Sequence, residues 1–143
     1  MEKYIERIKQ VFPSLSIKDY KLNDIGQNND VLIVNESIVF RFPKYQKGIN
    51  YLKRETKILK AINSKVTIPV PHPIYQSFEK WEAGKAFVGY ELIQGSPLWR
   101  ESFRTINNEK VLKRLASQLV NFLTEIHSIS KNDLRLEETD PRE

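Results

Sequence analysis

The sequence predicts an α+β domain: a five-stranded antiparallel sheet with an N-terminal helix, a helix between strands 3 and 4, and a C-terminal core helix. Three observations carry this. Strand-length apolar runs and helical-period segments follow one another in the order helix, three strands, helix, two strands, helix. The links between neighbouring strands are of hairpin length, which favours antiparallel pairing over the long crossovers of a parallel sheet. The chain has 143 residues, 40% hydrophobic and 29% charged, which suits one domain able to bury a core.

Each element has a local reason. Tyr4, Ile5, Ile8, Val11 and Phe12 recur at helical spacing, and Pro13 ends that helix. "SIKDYKLNDIG" and "DVLIVN" read as two strands joined around Gly26, Gln27, Asn28 and Asn29. Asn35-Glu36-Ser37 turns the chain into a third strand over residues 38–42. A helix follows over about 48–62. "VTIPVPHPIYQSF" is too proline-rich for a helix, and reads as a loop through Pro69, Pro71 and Pro73 into a strand near 74–78. Glu82-Ala83-Gly84-Lys85 has hairpin-turn composition and leads to the strand "AFVGYELI", which Gly95-Ser96-Pro97 breaks. Leu112, Leu115, Ala116, Leu119, Phe122, Leu123 and Ile126 then form an apolar stripe on a helix over 108–128.

Composition removes several classes of function. With no cysteine there are no disulfides, thiolate metal sites or cysteine nucleophiles. No apolar run approaches the roughly 20 residues that span a bilayer, and MEKYIERIKQVF lacks the apolar core of a secretory signal. The expectation is a cytoplasmic protein with no membrane partner. The net charge of +5 permits anionic partners, but the basic residues are dispersed. Their densest group, Lys44, Lys47, Lys53, Arg54, Lys57 and Lys60, reads as a solvated helix face. No regular aromatic series or reading helix supports nucleic acid as a partner. No metal ligand set is found.

Two charges need explaining. Arg41 stands between two phenylalanines in "IVFRF", and Glu55 falls with Leu52, Leu59 and Ile62 on one helical stripe, flanked by Tyr51 and Ile58. Strand alternation puts Ile38, Phe40 and Phe42 on one face and Val39 and Arg41 on the other. A carboxylate turned toward the sheet needs a partner, and the nearest inward-facing cation in sequence is Arg41. A purely structural ion pair, or a Glu55 reaching solvent, fits the same spacing.

The segments "IGQNNDVLIVNESIVFRFPK", "LKRETKILKAI", "GYELIQGSPL" and "LASQLVNFLTEIHSI", in this order, resemble the aminoglycoside phosphotransferase family. That resemblance runs from about residue 24 to 129 and implies a kinase-like N-lobe. It implies that Gly26, Gln27, Asn28 and Asn29 form a phosphate-facing loop. With one glycine in that loop, the asparagines would supply the left-handed turn conformations. It further implies that Val39 packs on the purine and that Arg41 binds phosphate, oriented by Glu55. Lys44 is the runner-up phosphate ligand, although it lies past Pro43 and is expected to face solvent. Tyr90, Glu91, Leu92 and Ile93 would form the hinge, with Tyr90 as gatekeeper and the Glu91 C=O and Ile93 N–H on the purine edge. Without the family context, the same residues read as an edge strand and a turn. His127 is expected to be structural, His72 a loop residue, and Trp81 and Trp99 packing residues.

The implied organisation is a nucleotide-binding lobe over 1–94, a linker and first core helix over 95–129, and a linker or truncated end over 130–143. The implied ligand is ATP or GTP. The family's catalytic Asp in H-x-D is absent here, since His72 leads into Pro-Ile and His127 into Ser-Ile. Catalytic residues, Mg2+ and the hydroxyl-bearing acceptor are therefore expected only with a further C-terminal half. By itself the chain is not expected to turn over, and its open helical stripe invites self-association. The alternative is a non-catalytic nucleotide- or protein-binding module.

Overall fold

A computed structural model describes residues 2–94 and 100–129. Its elements are α1 (Glu2–Val11), β1 (Tyr20–Asn23), β2 (Asn29–Val34), β3 (Ile38–Pro43), α2 (Gln46–Ile62), β4 (Pro73–Ser77), β5 (Phe87–Glu91), α3 (Arg100–Arg104) and α4 (Glu109–His127). The α+β class and the five antiparallel strands are those the sequence predicts. Sheet order is β1-β2-β3-β5-β4, so β5 inserts beside β3 and leaves β4 at the edge. Helix α2 starts two residues earlier than its periodicity suggests, and the five-residue α3 has no counterpart in the sequence reading. The breaker Gly95-Ser96-Pro97, Trp99 and the segment 130–143 lie outside the described residues.

The hairpins show what turn chemistry does. Asn35 and Glu36, both at φ 54°, are the central residues of the β2–β3 turn, closed by Ser37 N–H donating to the Val34 carbonyl at 3.0 Å. Positive φ at both positions matches the twist of a hairpin. The Asn35 side chain also holds the approach to β1, accepting from Lys18 N–H at 2.7 Å and donating to the Ser16 carbonyl at 2.7 Å. Gly84, at φ 87°, serves the turn before β5.

One face of the sheet carries the core. Ile38, Phe40 and Phe42 of β3 join Leu32, Val34 and Phe87 beneath Tyr4, Ile5 and Ile8 of α1. The Tyr4 ring stacks on Phe42 with centroids 4.2 Å apart. Arg7, also buried, ties α1 to the β4–β5 end of the sheet through the Lys85 carbonyl at 3.0 Å and Ser77 Oγ at 3.2 Å. Gly89 of β5 is required by this core, because a Cβ there would stand 2.5 Å from the Phe40 ring.

Helix α2 contacts β3, β4 and β5. Its buried positions are Ile49, Leu52, Thr56 and Ile62. The stripe is thus centred one residue away from Glu55: Thr56 holds the middle, its hydroxyl donating to the Leu52 carbonyl at 2.7 Å. Glu55 sits on the flank. Helix α4 is capped by Asn108, whose Oδ1 accepts from Lys110 N–H at 2.9 Å. None of its residues is buried, and Leu115, Leu119 and Leu123 are exposed. Glu125 joins α4 to the α2–β4 loop, accepting from Thr67 N–H at 2.7 Å and Thr67 Oγ1 at 2.8 Å.

Candidate functional site

On the sheet face opposite the phenylalanines, Arg41 Nη1 donates to Glu55 Oε1 at 2.7 Å. Strand alternation brings Arg41 to this face, and α2 delivers Glu55 from above it. The two side chains keep 23% and 45% of their surface exposed. At that exposure an ion pair contributes only about 0–1 kcal/mol to folding, so stability is a weak reason for its presence. One guanidinium nitrogen makes the contact, and the pair opens onto a cavity.

That cavity, of about 200 Å³, is lined by Asn28, Asn29, Arg41, Gly48, Tyr51, Leu52 and Glu55. It brings together four residues singled out from sequence and adds Gly48, Tyr51 and Leu52. A Cβ at Gly48 would meet Pro43 Cβ at 3.3 Å and the Asn28 carbonyl at 3.7 Å, so the missing side chain lets α2 approach the loop. The volume is below the roughly 300–1,000 Å³ that takes a whole small-molecule ligand. It is large enough for an anionic group of a larger molecule and not for the whole of one.

The β1–β2 loop holds Gly26, Gln27 and Asn28, exposed, with Asn29 opening β2. The expectation of left-handed asparagines fails here: among the described non-glycine residues only Asn35 and Glu36 have positive φ. Gly26 is not left-handed either. It is needed for close approach, since a Cβ would fall 2.9 Å from the Asn29 carbonyl. The loop turns back on itself without the left-handed residues that a glycine-rich loop uses.

Lys44 also departs from expectation. Its side chain is held rather than free in solvent, its ammonium donating to the Asp24 carbonyl at 2.6 Å and lying 3.4 Å from Asp30 Oδ1. Asp30 Oδ2 in turn accepts from the Tyr4 hydroxyl. Burial first, then the hydrogen bond and charge of Asp30, push the Tyr4 pKa well above the usual tyrosine value.

Along the sheet from Arg41 lie Val39 and Tyr90. Val39 is buried and opposite Tyr90 in the β3–β5 register, while Arg41 is opposite Val88. Val39 and Arg41 are two residues apart, about 7 Å along the strand. Burial raises the Tyr90 pKa, the charge and hydrogen bond of Arg41 oppose this, and Glu55 adds to it. Tyr90 thus belongs to the same electrostatic unit as the pair. Leu92 N–H donates to the Ser37 carbonyl at 2.8 Å. Strand β5 ends at Glu91, so Leu92 and Ile93 lie just past it. Glu91 and Ile93 are exposed and Leu92 half-buried.

The described residues do not fit a metal. Glu55 is the only carboxylate of this cavity, it is engaged with Arg41, and no group of three or more His, Asp or Glu side chains elsewhere among the described residues is placed to hold an ion. No described helix is long and apolar enough to cross a membrane. His72 and His127 are exposed, and Trp81 packs beside Phe78 with centroids 6.4 Å apart.

The family model for the phosphotransferase enzyme family, APH, matches residues 19–143. The chain belongs to this family. Among solved structures, the GDP and kanamycin complex of the APH enzyme APH(2")-IIIa is 29% identical with a TM-score of 0.82, covering 94% of this chain and 44% of the other. The GDP complex of wild-type aminoglycoside 2'-phosphotransferase-IIIa is 30% identical with a TM-score of 0.79, covering 92% and 43%. The streptomycin-ATP-APH(2")-IIa ternary complex is 27% identical with a TM-score of 0.71, covering 90% and 42%. No curated protein matches the chain. The chain thus spans less than half the length of these APH structures, and its fold is that of their kinase-like N-lobe.

Sequence reasoning named Arg41, Glu55, Asn28 and Asn29 and missed the second ring of residues. Gly48 carried a signal, a lone glycine in the first turn of a helix that opposes a loop. Tyr51 appeared only as a flank of the apolar stripe. Asp30 and Tyr4 gave no pattern, since their meeting depends on α1 crossing the sheet.

Proposed function

We propose that this chain is the nucleotide-binding part of a small-molecule kinase that moves a phosphoryl group from ATP or GTP to a substrate hydroxyl. The observation that carries the reading is the Arg41–Glu55 contact of 2.7 Å at the mouth of a cavity that also exposes Asn28 and Asn29. Glu55 engages one guanidinium nitrogen and orients the rest, which leaves donors for phosphate oxygens. The loop Gly26, Gln27, Asn28 and Asn29 covers the phosphates. Val39 packs on the base, Tyr90 stands as gatekeeper, and the Glu91 carbonyl and Ile93 N–H meet the purine edge, with Leu92 between them. Residues 1–94 act as this lobe and 95–129 as linker and first core helix. The nucleotide complexes of similar structures, with GDP and with ATP, support the ligand class. The kanamycin and streptomycin in those complexes support an aminoglycoside-like antibiotic as acceptor, and thus a role in resistance.

The catalytic Asp, the carboxylates for Mg2+ and the acceptor groove belong to a further half that these residues do not supply. When present, Mg2+ neutralises phosphate charge. The reading is tested by calorimetric titration of the chain with GDP and ADP, wild type against Arg41→Met. Saturable binding that weakens in the variant supports it, and no binding of either nucleotide overturns it. The chain alone should turn over neither ATP nor GTP with kanamycin. Turnover that is lost on mutating a residue named here would show that the catalytic groups are already present. The uncovered stripe of Leu115, Leu119 and Leu123 makes the isolated chain self-associate. A concentration-independent monomer by light scattering would remove that part.

A further inference from the structure

The loop between β1 and β2 has one glycine and no left-handed residue, so its backbone preferences alone do not fix its path. One residue outside the loop closes both of its ends. Lys44 donates its backbone N–H to the Asn28 carbonyl at 2.9 Å and its ammonium to the Asp24 carbonyl at 2.6 Å. Asp30 sits 3.4 Å from that ammonium through Oδ1 and accepts the Tyr4 hydroxyl on Oδ2. In the register Asp30 is opposite Phe42, so this chain of contacts runs on the α1 side of the sheet, across from Arg41. Lys44 is not among the residues lining the cavity.

We infer that Tyr4, Asp30 and Lys44 form a positioning relay that fixes the phosphate-facing loop, so that nucleotide affinity is set in part from α1 on the far side of the sheet. This rests on the nucleotide reading above. The ammonium neutralises Asp30 and clamps the first end of the loop, while the Tyr4 hydroxyl fixes the carboxylate that holds the ammonium. Lys44 thereby acts through the loop and not on phosphate, and Tyr4 acts through Asp30. Helix α1 lies outside residues 19–143, the part matched by the family model, so the relay joins a segment beyond that match to the site.

The test uses the 143-residue chain with GDP and ADP as probes, and hydrogen exchange at the amides of residues 25–29 without ligand. Tyr4→Phe keeps the ring stack on Phe42 and removes only the hydroxyl. Lys44→Met keeps the backbone N–H and removes only the ammonium, and Lys44→Arg restores a cation. Lys44→Met should raise Kd about threefold to thirtyfold, and Tyr4→Phe less in the same direction. The double variant should be no weaker than Lys44→Met alone, because both changes act on one contact. Lys44→Arg should recover most of the affinity, and loop amides should exchange faster in Lys44→Met and Tyr4→Phe. Wild-type binding with Kd unchanged in both single variants, even with lowered Tm, overturns the relay and leaves the nucleotide reading standing. Fully multiplicative effects in the double variant also overturn it. Wild-type protein that binds neither probe overturns the nucleotide reading, and the relay with it.

Discussion

The two faces of this sheet are built from the same strands and do opposite things. On the α1 face, Phe40, Phe42, Phe87, Leu32, Val34 and Ile8 are fully buried in one apolar and aromatic cluster, and the polar groups that reach this face, Arg7 and Asp30, are hydrogen-bonded. On the α2 face, Val39 and Val88 are buried, but Arg41, Tyr90 and Glu55 are half-open, with Arg41 bonded to Glu55 and Tyr90 within the field of both. Alternation along β3 means that neighbouring residues serve the two purposes in turn. Stability should therefore respond to even-numbered positions of β3 and ligand binding to odd-numbered ones.

The strongest way to break that division is on the closed face. Phe40→Ala removes a fully buried ring and should lower stability by about 3–5 kcal/mol, a large part of the usual 5–15 kcal/mol. Gly89→Ala drives a methyl into the same ring from β5 and should cost about 1–3 kcal/mol by overpacking. Urea denaturation measures both. A Gly89→Ala midpoint equal to wild type would mean that Phe40 has room to move, and the closed face would be looser than its burial indicates.

Arg41→Met sharpens the comparison from the other side. It should change stability by no more than about 1 kcal/mol, yet weaken GDP or ADP binding about tenfold to hundredfold, the worth of a charged hydrogen bond of roughly 1.5–3 kcal/mol. In a complete phosphotransferase carrying this lobe, kcat/KM for nucleotide should fall with it. Glu55→Gln should lose less, since in the proposed reading it only orients the cation, and the double variant should lose much less than the product of the two. If Arg41 and Glu55 were only a structural pair, both variants would lower Tm and leave affinity per folded molecule near wild type.

The closed face was the legible part of the sequence. Period-2 alternation in "IVFRF" and the 3.6 period of α1 state which residues are inside, because burial repeats with backbone geometry. The pairing of Arg41 with Glu55 was legible for the same reason, as an inward cation and an acid on the helix that follows. What the pattern could not give was azimuth: a stripe read from spacing put Glu55 in the centre, while the helix turned Thr56 there. It could not give the turn chemistry of asparagines either, since both Asn35 and Asn28 suit positive φ and only the hairpin geometry at Asn35 demands it. Helix α4 shows the limit most plainly. Its stripe of leucines is as regular as any in the chain, yet none of them is buried, because periodicity states that a face needs covering and not what covers it.

The smallest expected effect contrasts one tyrosine from each face. Burial raises the pKa of both Tyr4 and Tyr90, but Arg41 opposes the shift only at Tyr90. A raised folded pKa means that the native chain keeps its phenolic proton at a pH where the unfolded chain, with tyrosine near 10, has lost it. Above about pH 10 the unfolded state therefore binds fewer protons than the native state, and the slope of unfolding free energy with pH is negative. The stability linked to these groups is fully present at neutral pH and is lost as the pH climbs past about 10. Tyr4→Phe should flatten that alkaline fall clearly, and Tyr90→Phe should flatten it less. Urea midpoints at about pH 9 and about pH 11 read the difference, because lysines that titrate in the same range are common to all three proteins. Equal flattening by the two variants would mean that Arg41 does not screen Tyr90, and would separate Tyr90 from the charged pair beside it.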